Sequence, residues 1–430
     1  MPPKRKKEEE KKKEEKKKKP KTNDIKKGEE EIFTCVQMSL QKLMPRGRMK
    51  HLPKIEELVK RMHVIHTHAS LLFNAYLRRL LEGADLKFPD ITMNGLSEFY
   101  YAVTKGKRKR KKENLDIRTV FEKEMKPFMK DQMESREGIN GNLIREKAGE
   151  MATAFKNNLQ THYWKRFYKI LTIECDGDKK KAQRIFNEIQ SGKTEHCFFL
   201  KKKKDNLEDL FYLTAKIQKE LKKKEKKLCA VIPLTTSNVP GCIALDTTSL
   251  YMWFYKECAA NGWKKDALKE NRNEIWNKFF KIKKKKNFNF HFRLVTNGVK
   301  CSIMYSRVQV KQEVPEKTEE EIRREVIRER RIPVGVDPGK HNILYMVSKE
   351  GGKRKELRYS NVQRRFEGFG KTAQKLLEKR KKKNPQIIQI EKELSNYNSK
   401  DISVDVFKKY LKKKLEHLKE LFNFYSDLWF

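Results

Sequence analysis

The sequence predicts a multidomain α+β protein, and three observations lead to that fold class. The chain has 430 residues, which is enough for roughly two to four domains of ordinary size. Apolar residues recur at helical spacing over long stretches of its first half. Two later stretches instead carry short apolar runs separated by glycine-containing turns, which is the pattern of antiparallel strands.

Changes in composition divide the chain into segments. The first 30 residues hold Lys and Glu in low-complexity runs, with too few apolar residues to build a core. Near residue 229 the content of Pro, Thr, Gly and β-branched residues rises. The predicted segments are a disordered tail (1–30), a strand that completes the β-rich module (31–52), a helical domain (53–228), that β-rich module (229–312), a charged linker (313–331) and a final domain (332–430).

The helical domain is predicted to contain one long helix, from about Pro53 to Leu81. Within it, His63 and His66 share a face, whereas His68 turns away from His66 by about 160°. No Cys or acidic residue lies close enough in sequence to complete a metal site, so polar positions on a packed helix are expected. Further helical patterns cover residues 117–135, 142–172, 179–190 and 206–225.

Strand patterns dominate two later stretches. After a short helical pattern at Ile275–Phe280, two apolar runs flank Asn297-Gly298, and Asn-Gly is the strongest two-residue signal for a β-hairpin. Farther along, residues 332–360 alternate between apolar runs and turns, the second turn containing Gly351-Gly352. Three strands are predicted there, at Ile332–Val336, Asn342–Val347 and Lys355–Tyr359.

Positive charge lies in the body of the chain as well as in its tail. Lys and Arg number 102 against 58 Asp and Glu, for a net charge of +44. Residues 1–30 hold 14 basic and 8 acidic residues, so the other 400 residues carry +38. A balance this basic indicates a polyanionic partner, and nucleic acid is the first candidate.

Composition argues against several other classes of protein. The hydrophobic content of 37% is too high for wholesale disorder. No apolar stretch approaches the roughly 18 residues of a membrane-spanning helix, so no membrane partner is expected. The seven cysteines are widely spaced and include no C-x-x-C pair, so neither a disulfide framework nor a zinc site is predicted.

The expected location is intracellular. The first residues are charged and contain no apolar segment typical of a secretory signal. The run Pro2-Pro3-Lys4-Arg5-Lys6-Lys7 matches a basic nuclear-import patch, which favours the nucleus. A solvated charge run explains the same residues equally well.

Asp337 is the candidate catalytic residue. It ends the apolar strand of Ile332–Val336 and is followed by Pro338-Gly339, which turns the chain sharply. A carboxylate at the end of a strand can bind a hard cation such as Mg²⁺. Two-metal cleavage of phosphodiesters needs several such carboxylates. Asp-Pro-Gly is also an ordinary turn, but three consecutive strands are how RNase H-like nucleases begin.

VGVDPGKHNILYMV resembles the first RuvC motif of Fanzor proteins, the eukaryotic and giant-virus relatives of transposon-associated TnpB nucleases. Other matches follow in the same order over about residues 31–430. MATAFKNNLQTHYWKRF resembles a helix of that family's N-terminal half. IPLTTSNVPGCIALDTTSLY, IWNKFF and FHFRLVTNGVKCSIMY resemble the stretch before RuvC. DVFKKYLKKKLEHLKELFNFYSDLWF resembles the helix after the first RuvC strands.

The resemblance implies an RNA-guided DNA endonuclease that binds guide RNA and target DNA. It implies a helical recognition lobe at 53–228, a wedge-like module at 229–312 and a partial RNase H-like (RuvC) domain at 332–430. Asp337 would be the first catalytic carboxylate and a Mg²⁺ ligand.

The resemblance is incomplete after Asp337. Only 93 residues follow it, and they contain no Cys and no later strand pattern ending in Glu or Asp. We therefore expect a truncated or decayed member of the family, competent at most for nucleic-acid binding. The alternative is a non-enzymatic, basic RNA-binding or assembly protein.

Basic residues near these motifs are the candidate phosphate contacts, because Lys and Arg give affinity that does not depend on sequence. Lys283–Lys286, which precede the Asn-Gly hairpin, are about as well explained as a solvated face. The candidates are Lys156, Lys165, Arg166 and Lys169 on a predicted helix, Lys340 after Asp337, and Arg364 and Arg365 after the third strand.

Overall fold

The computed structural model describes residues 29–44, 46–105, 115–129, 132–190, 206–310, 318–329, 332, 334–339 and 341–426. Over these residues the fold is mixed α+β, with helices in the majority and two small antiparallel sheets. The α+β class predicted from the sequence is therefore confirmed. None of the described helices combines the length and apolarity that crossing a bilayer requires.

Helices make up most of the described chain. Leu40–Leu43 (α1) and a 3-10 turn at Arg46–His51 precede the long helix Leu52–Leu81 (α2). The others are α3 (Met93–Ala102), α4 (Leu115–Val120), a π-helical turn (Phe121–Met125), α5 (Lys126–Met129), α6 (Gly141–Glu174), α7 (Lys179–Gln190), α8 (Leu207–Lys223), α9 (Thr247–Trp253), α10 (Tyr255–Ala259), a 3-10 turn (Lys265–Ala267), α11 (Arg272–Phe279), α12 (Glu319–Arg328), α13 (Asn361–Glu367), α14 (Gly370–Lys382), α15 (Pro385–Ser395) and α16 (Val404–Ser426).

Two sheets are formed by the described strands. The strands are β1 (Glu29–Ser39), β2 (Ile243–Asp246), β3 (Asn289–Thr296), β4 (Lys300–Val310), β5 (Val334–Asp337), β6 (Asn342–Glu350) and β7 (Lys353–Ser360). One sheet has the order β1-β4-β3-β2 and the other the order β5-β6-β7. β1 thus lies beside β4, where the sequence places a strand that completes the β-rich module.

Both strand predictions are confirmed in their essentials. β3 and β4 are neighbours joined by a turn at Asn297-Gly298, where the N–H of Asn297 donates to the carbonyl of Lys300 over 3.3 Å. Gly298 has φ +97°, which glycine adopts without a Cβ clash. β5, β6 and β7 form the predicted antiparallel meander, with a turn at Gly351-Gly352.

Helix predictions are confirmed in position and differ in length. α2 covers the predicted helix with one more residue at its start, and its Pro53 lies in the first turn, where proline is tolerated. The helical pattern over 117–135 is too long, since α5 ends at Met129. Beyond it, the carbonyl of Glu134 accepts a backbone hydrogen bond from Lys105.

The described residues divide into two compact units, the first drawn from residues 1–36, 283–291 and 304–364 and the second from 37–282, 292–303 and 365–430. The sequence pattern predicts a single final domain at 332–430. In the contact grouping the meander falls in the first unit, and residues 365–430 fall in the second. The packing of α16 against α2 explains this grouping.

The core of the second unit is built around α2. Apolar residues repeat along it so closely that most of its side chains are buried. Arg78 is also buried, and its guanidinium donates to the carbonyls of Asp401 and Ser399 over 2.8 and 2.9 Å. It stacks on the ring of Phe407 on α16, 3.9 Å from the ring centroid. Arg78 thus ties α2 to the start of α16.

Candidate nucleic-acid interface

Helix α6 carries four of the candidate phosphate contacts. Asn140 caps its N-terminus by accepting a hydrogen bond from the N–H of Leu143 over 2.9 Å. Lys156 and Lys165 are nine residues apart, which places them about 180° apart around the helix axis. Lys165 and Lys169 are separated by four residues and therefore share one side. The four residues do not form one continuous track for a nucleic-acid backbone.

Arg166 has a structural position. It is 8% exposed, and its guanidinium donates to the side-chain oxygen of Asn158 over 2.7 Å and to the carbonyl of Ala230 over 3.0 Å. Burial lowers its pKa from the ordinary range. These contacts fasten α6 to the segment after α8, so Arg166 could reach a phosphate only by giving them up.

Lys169, Lys165 and Lys156 differ in their contacts. The Lys169 ammonium donates to the carbonyl of Lys227 over 2.9 Å, again joining α6 to the segment after α8. Lys165 is exposed and Lys156 half-buried. Neither makes a hydrogen bond or ion pair with another described residue, so both remain available to a phosphate.

Asp337 lies where the sequence predicts, at the end of β5. It is paired in register with Tyr345 of β6, and the turn after it is closed by a hydrogen bond from the N–H of Gly339 to the carbonyl of Asn342 over 2.8 Å. β5 is exposed along its whole length, with Val334 and Val336 each 51% exposed. Asp337 is therefore at an open surface of a thin sheet.

A two-metal centre needs several carboxylates close together. Among the described residues, no group of three or more His, Cys, Asp or Glu side chains could hold a metal ion. The residues around Asp337 that are described thus do not fit such a centre, and Mg²⁺ binding there stays a prediction.

The remaining candidates lie around the meander. Arg364 and Arg365 are exposed on α13, next to Phe366, which is 77% exposed. The N–H of Asn361, the first residue of that helix, donates to the carbonyl of His341 over 2.8 Å and so fixes its start against β6. Lys340, as well as the basic patch at 2–7, lies outside the described residues.

The basic surface with the clearest geometry is Lys283–Lys286, before β3. Lys283, Lys284 and Lys286 are exposed and make no side-chain hydrogen bond or ion pair with any other described residue. Lys285 differs, because its ammonium donates to the hydroxyl of Thr34 over 2.9 Å. The segment is held in place by the hydroxyl of Tyr305, which donates to the carbonyl of Lys283 over 2.7 Å.

An aromatic ring lies close to two cations at this surface. The Lys285 ammonium and the Arg307 guanidinium are each 5.0 Å from the centroid of the Phe288 ring. Arg307 is exposed on β4. Fixed cations next to an aromatic ring suit contact with phosphates and bases. We name the exposed side chains of Lys283, Lys284, Lys286 and Arg307 the hairpin patch.

Sequence reasoning weighed Lys283–Lys286 but did not rank them above the lysines of α6. A run of lysines is by itself compatible with solvation. The distinguishing signal was the aromatic residue within reach of the run, Phe288, together with the Arg of the facing strand. That strand is paired through the predicted Asn-Gly hairpin, so the juxtaposition could have been derived from the register.

Comparison with known proteins adds one match. A family model described as a domain of unknown function, DUF8286, matches residues 243–307. No curated protein matches the chain. The matched residues extend from β2 through β3 into β4, and they contain Lys283–Lys286 and Arg307. The match is to a domain with no assigned activity.

Proposed function

We propose that this chain binds nucleic acid as a Fanzor- or TnpB-like protein, with a guide RNA and the target DNA as its partners. The observation that carries the proposal is the hairpin patch, whose lysines have no acidic partners and belong to the segment that leads to Phe288, the ring contacted by Lys285 and Arg307. The +38 net charge outside the first 30 residues supports it. The resemblance of residues 31–430 to that family supplies the identity of the partners.

The proposed role of the hairpin patch is to contact phosphates. Three exposed ammonium groups on one short segment can each displace a counterion from a nucleic-acid backbone. Lys156 and Lys165 on α6 are proposed as further contacts, while Arg166 and Lys169 are left to their contacts with the segment after α8. Sequence would be recognised through base pairing with the guide, since backbone contacts carry no sequence information.

The proposal is for binding, and it includes no cleavage step. Cleavage by a nuclear protein of this family would rely on Mg²⁺ held by several carboxylates. The described residues do not bring the necessary carboxylates together. Metal-dependent cleavage of guide-matched DNA by this chain, abolished by Asp337→Ala, would contradict a binding-only role.

A charge-matched pair of variants tests the proposal. Replacing Lys283, Lys284 and Lys286 with Ala should lower the slope of log affinity against log salt by about 2 for a single-stranded or structured RNA. Replacing the exposed Lys179, Lys180 and Lys181 of α7 removes the same charge elsewhere and should leave the slope unchanged. Fluorescence anisotropy over a salt series measures both.

The outcomes distinguish a specific basic site from an effect of total charge, and a guide-binding protein from a general RNA-binding protein. Equal slopes for the two variants would show that only total charge matters and would overturn the hairpin patch as a site. Sequencing of RNA that co-purifies with the wild-type chain then tests the family. One defined RNA species supports a guide-binding protein, whereas a broad mixture favours a general RNA-binding protein.

A further inference from the structure

Two phenylalanines are exposed to solvent at the corner between α13 and α14. Phe366 is 77% exposed and Phe369 is 71% exposed. Among the described residues, neither ring contacts another aromatic ring or a cation. A single exposed apolar residue is ordinary, but two large aromatic side chains within four residues form a patch that marks an interaction site. Packing against the described core does not account for either ring.

The backbone holds Phe369 in an uncommon conformation. Its φ is +54°, in the left-handed region that a bulky side chain rarely adopts. Its N–H donates to the carbonyl of Phe366 over 3.0 Å, which closes a turn and brings the two Cα atoms within about 7 Å. Glycine would occupy this position without strain, so stability does not favour phenylalanine here. Both rings are thus carried on one fixed corner.

Cations flank the two rings and find no partner within the described chain. Arg365, Lys371 and Lys375 are exposed, and none of them makes a side-chain hydrogen bond or ion pair with another described residue. Lys371 and Lys375 are four residues apart on α14 and therefore share one side of it. Between residues 365 and 375 the sequence has one acidic residue, Glu367, so three cations against one carboxylate leave a net charge of +2. The corner is therefore both aromatic and basic.

This combination fits an unpaired nucleobase attached to its phosphate backbone. The flat face of a base stacks on an aromatic ring, while Lys and Arg contact the neighbouring phosphates. A protein partner could also cover the rings, but it would need acidic residues to meet the three cations. Bases in a duplex are stacked on one another and do not reach the rings. RNA exposes unpaired bases in its loops and at its ends, so RNA is the better source.

We propose that the corner between α13 and α14 is a stacking site for unpaired bases of RNA. Phe366 and Phe369 would stack on the bases, and Arg365, Lys371 and Lys375 would contact the phosphates. The inference rests on the proposed function, because it requires that the chain binds nucleic acid. It adds a site at which bases as well as phosphates set the affinity. Every base has a π face, so this site selects unpaired strands without selecting their sequence.

A strand without bases tests the role of stacking. The full chain, freed of co-purified RNA, is titrated with a labelled strand of about 12 uridines and with a strand of equal length in which hydrogen replaces every base. Fluorescence anisotropy gives both Kd values. Phe366→Ala with Phe369→Ala should weaken binding of the uridine strand about tenfold or more and leave that of the abasic strand within about twofold. Equal losses for the two strands would overturn the stacking site.

Conservative variants separate stacking from simple apolar contact. Phe366→Tyr with Phe369→Tyr keeps both π faces and should bind the uridine strand within about twofold of wild type. Phe366→Leu with Phe369→Leu keeps apolar side chains without π faces and should lose about fivefold or more. Full affinity in the leucine pair would overturn stacking, since apolar contact would then suffice. Tyr212→Ala, at an exposed aromatic of α8 four residues from Glu208, is the matched control and should leave the Kd unchanged.

Further ligands separate failure of this site from failure of the proposed function. A wild-type chain that binds neither strand at low salt would overturn the proposed function, and this inference with it. Binding of both strands by wild type, unchanged in the alanine pair, would overturn the stacking site alone. Duplex RNA of the same length should bind wild type and the alanine pair equally. A loss confined to single-stranded DNA would overturn the assignment to RNA. Thermal melts of all variants check folding, and their midpoints should match wild type because both rings are exposed.

Discussion

Helix α2 and the meander β5–β7 have equally clear local patterns but opposite environments. α2 is buried along most of its 30 residues and is enclosed by helices of its unit, including α3 and α16. In the meander, β5 is exposed throughout, and the apolar Leu357 of β7 is 58% exposed. Burial of apolar surface is the dominant stabilising contribution to folding. The same kind of sequence pattern thus contributes much to stability in one region and little in the other.

The largest difference is expected from Arg78 on α2. Arg78→Leu leaves the carbonyls of Asp401 and Ser399 unpaired in a buried site, which should cost on the order of 4 kcal/mol of unfolding free energy. Urea unfolding followed by circular dichroism measures it. Arg118→Leu, at an exposed arginine of α4, is the matched control and should change the midpoint little. Equal midpoints for the two variants would show that Arg78 does not join α2 to α16.

The histidines of α2 should make the helical unit sensitive to acid. Burial lowers the pKa of His63 and His68 to about 4 and that of His66 to about 3, whereas the unfolded chain binds these protons near pH 6.5. Stability should therefore fall as the pH drops from 6.5 towards 4, and His66 extends the loss to about pH 3. His63 and His68 each contribute about 3 kcal/mol to this loss.

His68→Leu isolates one of these contributions. The variant should lose less stability than wild type between pH 6.5 and 4, by about 3 kcal/mol. His162→Leu, at an exposed histidine of α6, should keep the wild-type acid dependence. The measurement is the urea midpoint at a series of pH values. An identical pH dependence for wild type and His68→Leu would mean that the His68 imidazole binds its proton as readily in the folded chain as in the unfolded chain.

The cap of α6 should have an intermediate effect. Asn140 accepts a hydrogen bond from the N–H of Leu143 over 2.9 Å. Asn140→Ala should destabilise the helical unit by about 1 kcal/mol. Asn187→Ala, within α7, removes the same side chain from an exposed helical position and should cost nothing measurable. Hydrogen exchange in the first turn of α6 reports the effect directly, and unchanged exchange there would contradict the cap.

The smallest effect is expected in the meander. Val336→Thr, on β5, should change the unfolding free energy by no more than about 0.5 kcal/mol, since the side chain is already half exposed. Ile65→Thr, at a fully buried position of α2, should cost about 2 kcal/mol or more. Comparable losses in the two variants would show that β5 is covered in solution, for example by a bound partner.

Local features of the fold could be predicted well. The Asn297-Gly298 hairpin depends on two residues and the apolar runs beside them, and α2 depends on a repeat within one segment. His63 and His66 were expected to share a face, and they do, since His63 contacts the carbonyl of Ser237 and His66 the hydroxyl of Thr235. Each of these features depends on residues that are close together in the sequence.

The candidate site was predictable only in part, for a related reason. Asp337 was placed correctly because a strand and its turn are local. Arg166 was grouped with the phosphate-binding residues, but its partner Ala230 lies 64 positions away along the chain. The cavity lined by Val64, Gln132 and Phe422 joins residues from α2, the segment after α5 and α16. No pattern within any one of these segments marks the cavity.

The amino-acid sequence alone determined the positive charge, the order of helices and strands, the hairpin and the position of Asp337. Each of these follows from composition or from residues close together in the chain. Tertiary structure decided which cations remain available, such as Lys283 and Lys165, and which are used within the protein, such as Arg166 and Arg78. It also decided that the meander lies open while α2 is enclosed. Burial and pairing depend on residues distant in sequence, which only the packed chain brings together.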